Sequence, residues 1–376
     1  MNTTAMPSDS TERPLVLITG SSGLIGSRLT SALNQRYRVV GLDVEQPVDD
    51  ELETNWLNCD LTDARAIRAT LSQVAGRYGD NFASVIHLAG YYDDSGKPNP
   101  LYRDLTVEGT RHLIQALQRF NVEQFVFSSS LLVMKPAEDH QPIRSDSPVD
   151  ADWEYPRSKL AAENVILVER GDIPTVLLRI AGVYDEKCHA LPIAQQIHRI
   201  YTKQLASYVF PGDQTNGQAF VHLNDLVACI ECVIERRAEL EPCVTFLVGE
   251  EDVMSYGELQ EKLGLLIHGE VWPTLRIPKV VAKVGAWIKK KMATDEASAP
   301  VVQPWMVDLA DQDYPIDIRR TRQLLGWEPK YKLRTTLAAI VAKLHNDPRG
   351  WYECNQLPVP SMVAQQKNDA DRVHRS

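Results

Sequence analysis

Basic charge, paired metal ligands and repetition are what this sequence has little of. With 40 basic against 50 acidic residues the formal charge is −10. That balance would repel phosphate backbones, and no basic stripe interleaved with aromatics offsets it, so no nucleic-acid partner is expected. Only six cysteines occur, scattered at 59, 188, 229, 232, 243 and 354. Cys229 and Cys232 form a C-x-x-C inside the apolar stretch Leu226–Ile234. Without a second Cys or His pair at zinc spacing they read as two thiols of a core helix, and no metal is expected. No charged segment followed by an apolar one opens the chain, which makes a reducing cytoplasm the expected location. Internal repeats and low-complexity tracts are missing too. What is present, 44% apolar and 24% charged residues, is enough for a sizeable core.

Short apolar runs at Leu15–Thr19, Arg38–Asp43, Ser84–Leu88, Gln124–Ser128, Thr175–Ile180 and Val244–Val248 have the Val/Ile/Leu/Phe density of strands covered on both faces. Between them, Leu24–Gln35, Ala64–Ala75, Val107–Phe120 and Arg157–Glu169 are long enough for crossover helices. This β–α alternation predicts an α/β fold with a doubly wound parallel sheet. Beyond Ile180, Pro, Gly and Trp interrupt the pattern, which returns between His222 and Gly249. The expected organisation is a dinucleotide-binding domain from 14–185 plus 220–249 and a smaller substrate lobe from 186–219 plus 250–330. A C-terminal helix and extension follows over 331–357. Polar ends at 1–13 and 358–376 are expected to be mobile. In Ile277–Met292, apolar residues at 277, 280, 281, 284 and 288 share one helical face while Lys279, Lys283 and Lys289–Lys291 crowd elsewhere. The segment is too short and too charged to span a bilayer; contact with an anionic membrane surface is open, and packing on the small lobe is the preferred reading.

Directly after the first strand comes Thr19-Gly20-Ser21-Ser22-Gly23-Leu24-Ile25-Gly26, opening a helix. Gly20 would permit the tight turn, Gly23 would let a pyrophosphate approach the backbone and Gly26 would let helix and sheet pack closely. The helix start offers amide hydrogens from Ser22, Leu24 and Ile25 and a positive dipole end. Seventeen residues past Gly26, Asp43 stands where a carboxylate would accept bonds from the adenosine ribose and repel a 2′-phosphate; NAD is expected rather than NADP. Asp60 and Leu61 follow a third strand, Asn55–Cys59. Asp60 is either an adenine contact or part of the N-cap of the helix near Asp63. His87-Leu88-Ala89-Gly90 would let the cofactor lie against Leu88, Ala89 and Gly90, with His87 a packed core residue.

Tyr155 and Lys159 are four residues apart, which stacks them on one helical face. An ammonium beside a phenol would pull its pKa down from about 10, so that the oxygen could act as general acid or base. Lys159 is also expected to hold the nicotinamide ribose. Pro156 is tolerated if Asp152 caps the helix and places the proline in the first turn. Ser128-Ser129-Ser130 closes a strand at the carboxyl edge where open α/β sheets bind ligands. A hydroxyl there can orient a substrate oxygen. Ser129 and Arg179 are the candidate substrate contacts, with pairing to a carboxylate the alternative for Arg179.

From Leu15 to Leu344 the chain resembles the extended short-chain dehydrogenase/reductases, in their epimerase/dehydratase branch. The resemblance is carried by T-G-x-x-G-x-x-G at 19–26, Asp43, H-L-A-G at 87–90, S-S-S at 128–130, Y-x-x-S-K at 155–159, L-R-I-A-G-V-Y at 178–184 and F-V-H-L-N-D-L at 220–226. It implies a Rossmann-type fold, bound NAD, and a catalytic triad of Ser130, Tyr155 and Lys159. Thr106 stands in place of the family's usual structural Asn, Gly182 replaces an Asn common in nucleotide-sugar epimerases, and Val133-Met134 replaces a frequent Val-Tyr. Trp272, Trp287 and Trp305 either line a more apolar pocket or are ordinary packing. The expected activity is epimerase/dehydratase-type redox chemistry on a sugar-like small molecule. The alternatives are a dehydrogenase of an apolar alcohol or ketone and an NAD-binding protein without turnover. A homodimer is left open.

Overall fold

The computed structural model describes residues 13–47, 55–93, 97–283, 307 and 310–364. Seven strands form a wholly parallel sheet: β1 (Leu15–Thr19), β2 (Arg38–Asp43), β3 (Trp56–Asn58), β4 (Asn81–His87), β6 (Phe125–Ser130), β7 (Thr175–Ile180) and β11 (Cys243–Val248). The spatial order is β11-β7-β6-β4-β1-β2-β3, and the two-residue β5 (Asn121–Val122) pairs with the start of β4. The strand order reverses between β1 and β4, and the crevice at their carboxyl ends is where doubly wound sheets take ligands.

Both faces of the sheet are covered, which explains the near-continuous apolar runs. On one face Val16, Ile18, Val126 and Phe246 meet α1 (Leu24–Leu33) and α6 (Leu223–Glu235). On the other, Leu17, Val40, Phe127 and Leu177 meet α2 (Ala64–Tyr78), α3 (Thr110–Leu117) and α4 (Glu154–Glu169). Ala162 and Ile166 pack α4 onto this second core. Full burial of a side chain such as Ile166 contributes about 1.5–3 kcal/mol, and it fixes the helix that carries Tyr155 and Lys159.

A third cluster builds the smaller lobe, where Ile193, Ile197, Leu263, Trp272, Leu337 and Tyr352 interdigitate. Its helices are α5 (Leu191–Tyr201), α7 (Tyr256–His268), Leu333–Asn346 and Pro348–Cys354. Two small parallel pairs accompany them: β8 (Gly182–Tyr184) with β10 (Phe220–His222), and β9 (Val209–Pro211) with β12 (Leu275–Ile277). Val363 is buried in this cluster, so the chain past Pro358 stays docked at least that far, against the expectation of a free tail. The expected amphipathic helix Ile277–Met292 falls mostly outside the described residues, as do Trp287 and Trp305. Among the described residues no helix is long and apolar enough to cross a membrane.

Several boundaries differ from the sequence pattern for identifiable reasons. β4 and β6 pair as far as His87 opposite Phe127, but β6 continues beside β7 to Ser130. The three serines are therefore strand residues that overhang the end of β4. Helical structure begins well before Val107, in a π-helical stretch Tyr102–Gly109 that turns Tyr102, Thr106 and Gly109 inward. Helix α4 is capped by Trp153 rather than Asp152, and Pro156 is its third residue, where no intrahelical amide partner is needed.

Candidate active site

The glycine turn after β1 is shaped by close backbone contact. Gly20 has φ +70°, and a Cβ there would come within 2.8 Å of Ala89 N. A Cβ on Gly26 would sit 2.1 Å from Gly20 O. Neither position admits a side chain. Gly23 is different: a Cβ would meet only Gly20 O, at 3.4 Å, so protein packing does not demand glycine there. Gly23 caps α1 with no side-chain bond and no acidic residue in the first turn, leaving the amides at Leu24 and Ile25 directed at the crevice with the positive end of the helix behind them. Asp43, at the end of β2, accepts from Ser22 N at 2.9 Å and from Val44 N at 2.8 Å, and the Ser22 hydroxyl donates to Glu45 O. These bonds hold a carboxylate beside the turn.

On the far side of the crevice, Leu88 N donates to Thr19 O and Ala89 lies over Gly20. His87 is fully buried between the Thr19 and Thr110 hydroxyls, at 2.7 and 2.8 Å. Burial and the nearby Lys159 push its pKa down to about 3, so it is a neutral core residue as the sequence suggests. Asp60 Oδ1 accepts from Thr62 N and Thr62 Oγ1, and Asp63 rather than Asp60 caps α2. Leu61 is buried against Gly109. His222 caps α6 by accepting from Asn224 N.

Helix α4 and strand β6 bring Ser130, Tyr155 and Lys159 to this crevice. Lys159 is buried; its Nζ donates to Ser128 O at 2.8 Å and lies 5.0 Å from the centre of the Phe127 ring. A Cβ at Gly90 would come within 3.0 Å of that nitrogen, so the small residue leaves the ammonium its place. Burial lowers the pKa of Lys159 to about 8, against an opposing pull from Glu163. The Tyr155 phenol is pushed up to about 12 by burial, and its hydrogen bond with Ser130 pulls the other way. The lowered phenol pKa expected from the Tyr155/Lys159 spacing is thus reversed: the ammonium is held by a strand carbonyl, and burial governs the phenol.

One helical turn further along, Glu163 is buried in a network that sequence reasoning missed. Arg179 Nε and Nη2 reach its two carboxylate oxygens at 3.1 and 2.8 Å, and the Ser129 hydroxyl donates to it as well. For Arg179 the pairing alternative is therefore the observed one. The available signal was the spacing: Tyr155, Lys159 and Glu163 recur every four residues, on one face. Also unforeseen is a wall of rings. Tyr92 and Trp153 stand 4.9 and 5.6 Å from the Tyr155 ring, and Tyr91 packs edge-on against Tyr102. Thr106, in the position of the usual Asn, accepts from Tyr91 N at 2.9 Å and so anchors this segment. Trp272, by contrast, is buried and donates to Ser207 while stacking on Tyr208 and His268, the packing alternative.

Residues 16–249 match the model of the NAD dependent epimerase/dehydratase family. The chain belongs to that family. It is 26% identical to the human 3 beta-hydroxysteroid dehydrogenase type 7, over 85% of this chain and 92% of that protein. It is also 26% identical to an N-acetyl-alpha-D-glucosaminyl-diphospho-ditrans,octacis-undecaprenol 4-epimerase of Escherichia coli O157:H7, over 57% and 62% of the two chains. Among solved structures, MoeE5 in complex with UDP-glucose and NAD superposes with a TM-score of 0.64 at 22% identity, covering 88% of this chain and 98% of its own. The UDP-glucose 4-epimerase of Thermus thermophilus, in complex with NAD, gives 0.65 at 18%, covering 88% and 99%; both show a shared fold. As a member of this family the chain is an NAD-dependent enzyme. The crevice fits that cofactor: Gly23 is kept free of a side chain that the protein itself would tolerate, above an uncapped helix start, with a fixed carboxylate alongside.

Proposed function

We propose that this enzyme interconverts a secondary alcohol and a ketone on an apolar ring system, with Tyr155 exchanging the proton of the substrate oxygen. The observation that carries this reading is the convergence of Ser130, Tyr155 and Lys159 at the mouth of the glycine-turn crevice, with Ser130 opposing the effect of burial on the phenol and Lys159 Nζ held by Ser128 O. The amides of Leu24 and Ile25, with Gly20, Ser22, Gly23 and Gly26 around them, would hold the pyrophosphate. Asp43 would take the ribose hydroxyls, Asp60 and Leu61 would flank the adenine, and Leu88, Ala89 and Gly90 would form the floor. NAD supplies, when bound, a nicotinamide carbon that accepts or gives a hydride. Lys159 holds the adjoining ribose, and Ser130 orients the substrate oxygen. A phenol kept protonated by burial is suited to give its proton to a forming alkoxide. Reduction of a ketone is therefore the direction favoured near neutral pH, and oxidation gains as pH rises towards the phenol's pKa.

Two features favour an apolar substrate. Tyr92 and Trp153 present ring surface beside Tyr155, with Tyr92 53% exposed, and Arg179 is committed to Glu163 rather than to a substrate phosphate. A relative matched over 92% of its own length is named as a hydroxysteroid dehydrogenase. The sugar-like substrate, with hydride returned to the opposite face, is the second reading, favoured by the relation to the 4-epimerase. A panel of cyclic secondary alcohols and nucleotide sugars, followed by absorbance of reduced nicotinamide and by chromatography, separates them. Steady NADH accumulation with the apolar alcohols is expected at alkaline pH, and NADH consumption with the matching ketones near neutral pH. Conversion of a nucleotide sugar with no net NADH, and no turnover of the alcohols, would overturn the proposal.

A further inference from the structure

Away from the crevice, where the loop after β8 meets the end of the Pro348–Cys354 helix, a second set of reactive groups comes together. Cys354 Sγ lies 2.9 Å from His189 Nε2, and His189 Nδ1 lies 2.9 Å from Asp185 Oδ2. Nucleophile, base and carboxylate thus lie in series, with His189 Nδ1 at ion-pair distance from Asp185 but not aligned for a hydrogen bond; a base beside a weak nucleophile is what activates it. The imidazole is held by its backbone: His189 N donates to Asn355 Oδ1, and Asn355 Nδ2 donates to Lys187 O. A further buried imidazole nitrogen without a hydrogen-bond partner, His222 Nε2, stands 3.5 Å from Glu186 Oε1 in the same loop. Among the described residues no group of three or more His, Cys, Asp or Glu is arranged to hold a metal ion, so the cluster is not explained as a cation site.

We propose that Cys354 is a nucleophilic thiol, with His189 as its base, that undergoes covalent exchange with low-molecular-weight disulfides. In the exchange the Cys354 proton passes to His189 Nε2, and Sγ forms a bond to one sulfur of the disulfide. The other sulfur leaves as a thiolate and takes the proton back from the imidazolium, so one disulfide is consumed and one mixed disulfide and one free thiol are produced. At rest the thiol is protonated: burial and Asp185 push its pKa up while Lys187 and Lys343 pull it down. Burial would also raise Asp185, but His189 holds it below its usual value. The site therefore works by handing a proton to the imidazole during attack rather than by storing a thiolate. Cys232 and Cys243 are comparably half-buried cysteines and serve as internal controls.

The test uses the full chain treated with oxidised glutathione, read by intact mass and peptide mapping against time and pH. Cys354 is expected to acquire the adduct at least about tenfold faster than Cys232 or Cys243. His189→Gln should slow it about tenfold or more with Tm and NAD affinity retained, and Cys354→Ser should remove the fast adduct. Equal rates at Cys354, Cys232 and Cys243 in the unaltered protein would overturn the proposal, whatever the variants do. So would an unchanged Cys354 rate in a folded His189→Gln protein.

Discussion

Two buried cations lie along the same face of α4, and the structure treats them oppositely. Arg179 meets both oxygens of Glu163 and a sulfur from Met134, whereas Lys159 has one strand carbonyl and the face of a ring. A buried charge with full complement serves the scaffold; one left partly satisfied is available to a ligand, at a cost in stability. The crevice end of the helix is thus poised for binding, and the end below it is locked.

The difference can be broken from either side. Glu163→Ala leaves Arg179 buried and unpaired and should lower stability by about 3–5 kcal/mol, read by chemical denaturation, with loss of Ser129 positioning as well. Lys159→Met should act in the opposite sense. The lysine's folded pKa is depressed to about 8 from 10.5, so below pH 8 the charge is buried at a cost of up to about 3 kcal/mol. The unfolded chain binds more protons between those two values, and the wild type gains stability as pH rises through that window. The variant should therefore be more stable than wild type below pH 8, with the advantage fading towards pH 10.5, and it should be inactive at every pH. If Lys159→Met is destabilised at pH 6, the picture of a strained ammonium fails.

The glycine turn sharpens the same contrast on a smaller scale. Gly26→Ala forces a Cβ against Gly20 O and should cost about 1–3 kcal/mol. Gly23→Ala meets almost nothing and should change stability by no more than about 0.5 kcal/mol. Its NAD affinity should nevertheless fall by about tenfold, or about 1.4 kcal/mol, measured by titration calorimetry. Unaltered NAD binding in Gly23→Ala would remove the argument that this glycine is kept for a ligand.

The sheet and the crevice could be read from residues because their constraints are local. Strand runs buried on both faces, a glycine turn between strand and helix, and a Tyr–Lys pair one turn apart each have a pattern with a fixed period. The Glu163–Arg179 pair joins positions 16 apart, and no periodicity announces which carboxylate a buried arginine will find. The small lobe is held by side chains that clamp distant backbone. Glu250 accepts from Tyr184 and Leu333, and Asp225 accepts from Lys330 and Tyr331; such bonds become evident only in three dimensions. The raised pKa of the phenol is not legible in the sequence, because spacing reports which face a residue occupies but not how deeply its oxygen is buried.

Substitution of Tyr155 by phenylalanine tests the account most directly, since it deletes one hydroxyl and keeps the ring that packs on Tyr92 and Trp153. Measured as kcat with a turned-over alcohol or ketone, alongside NAD affinity and Tm, the loss should be on the order of 10²–10⁴-fold with the other two quantities preserved. A Tyr155→Phe enzyme that binds NAD normally and retains its kcat would contradict the assignment of the proton to that oxygen.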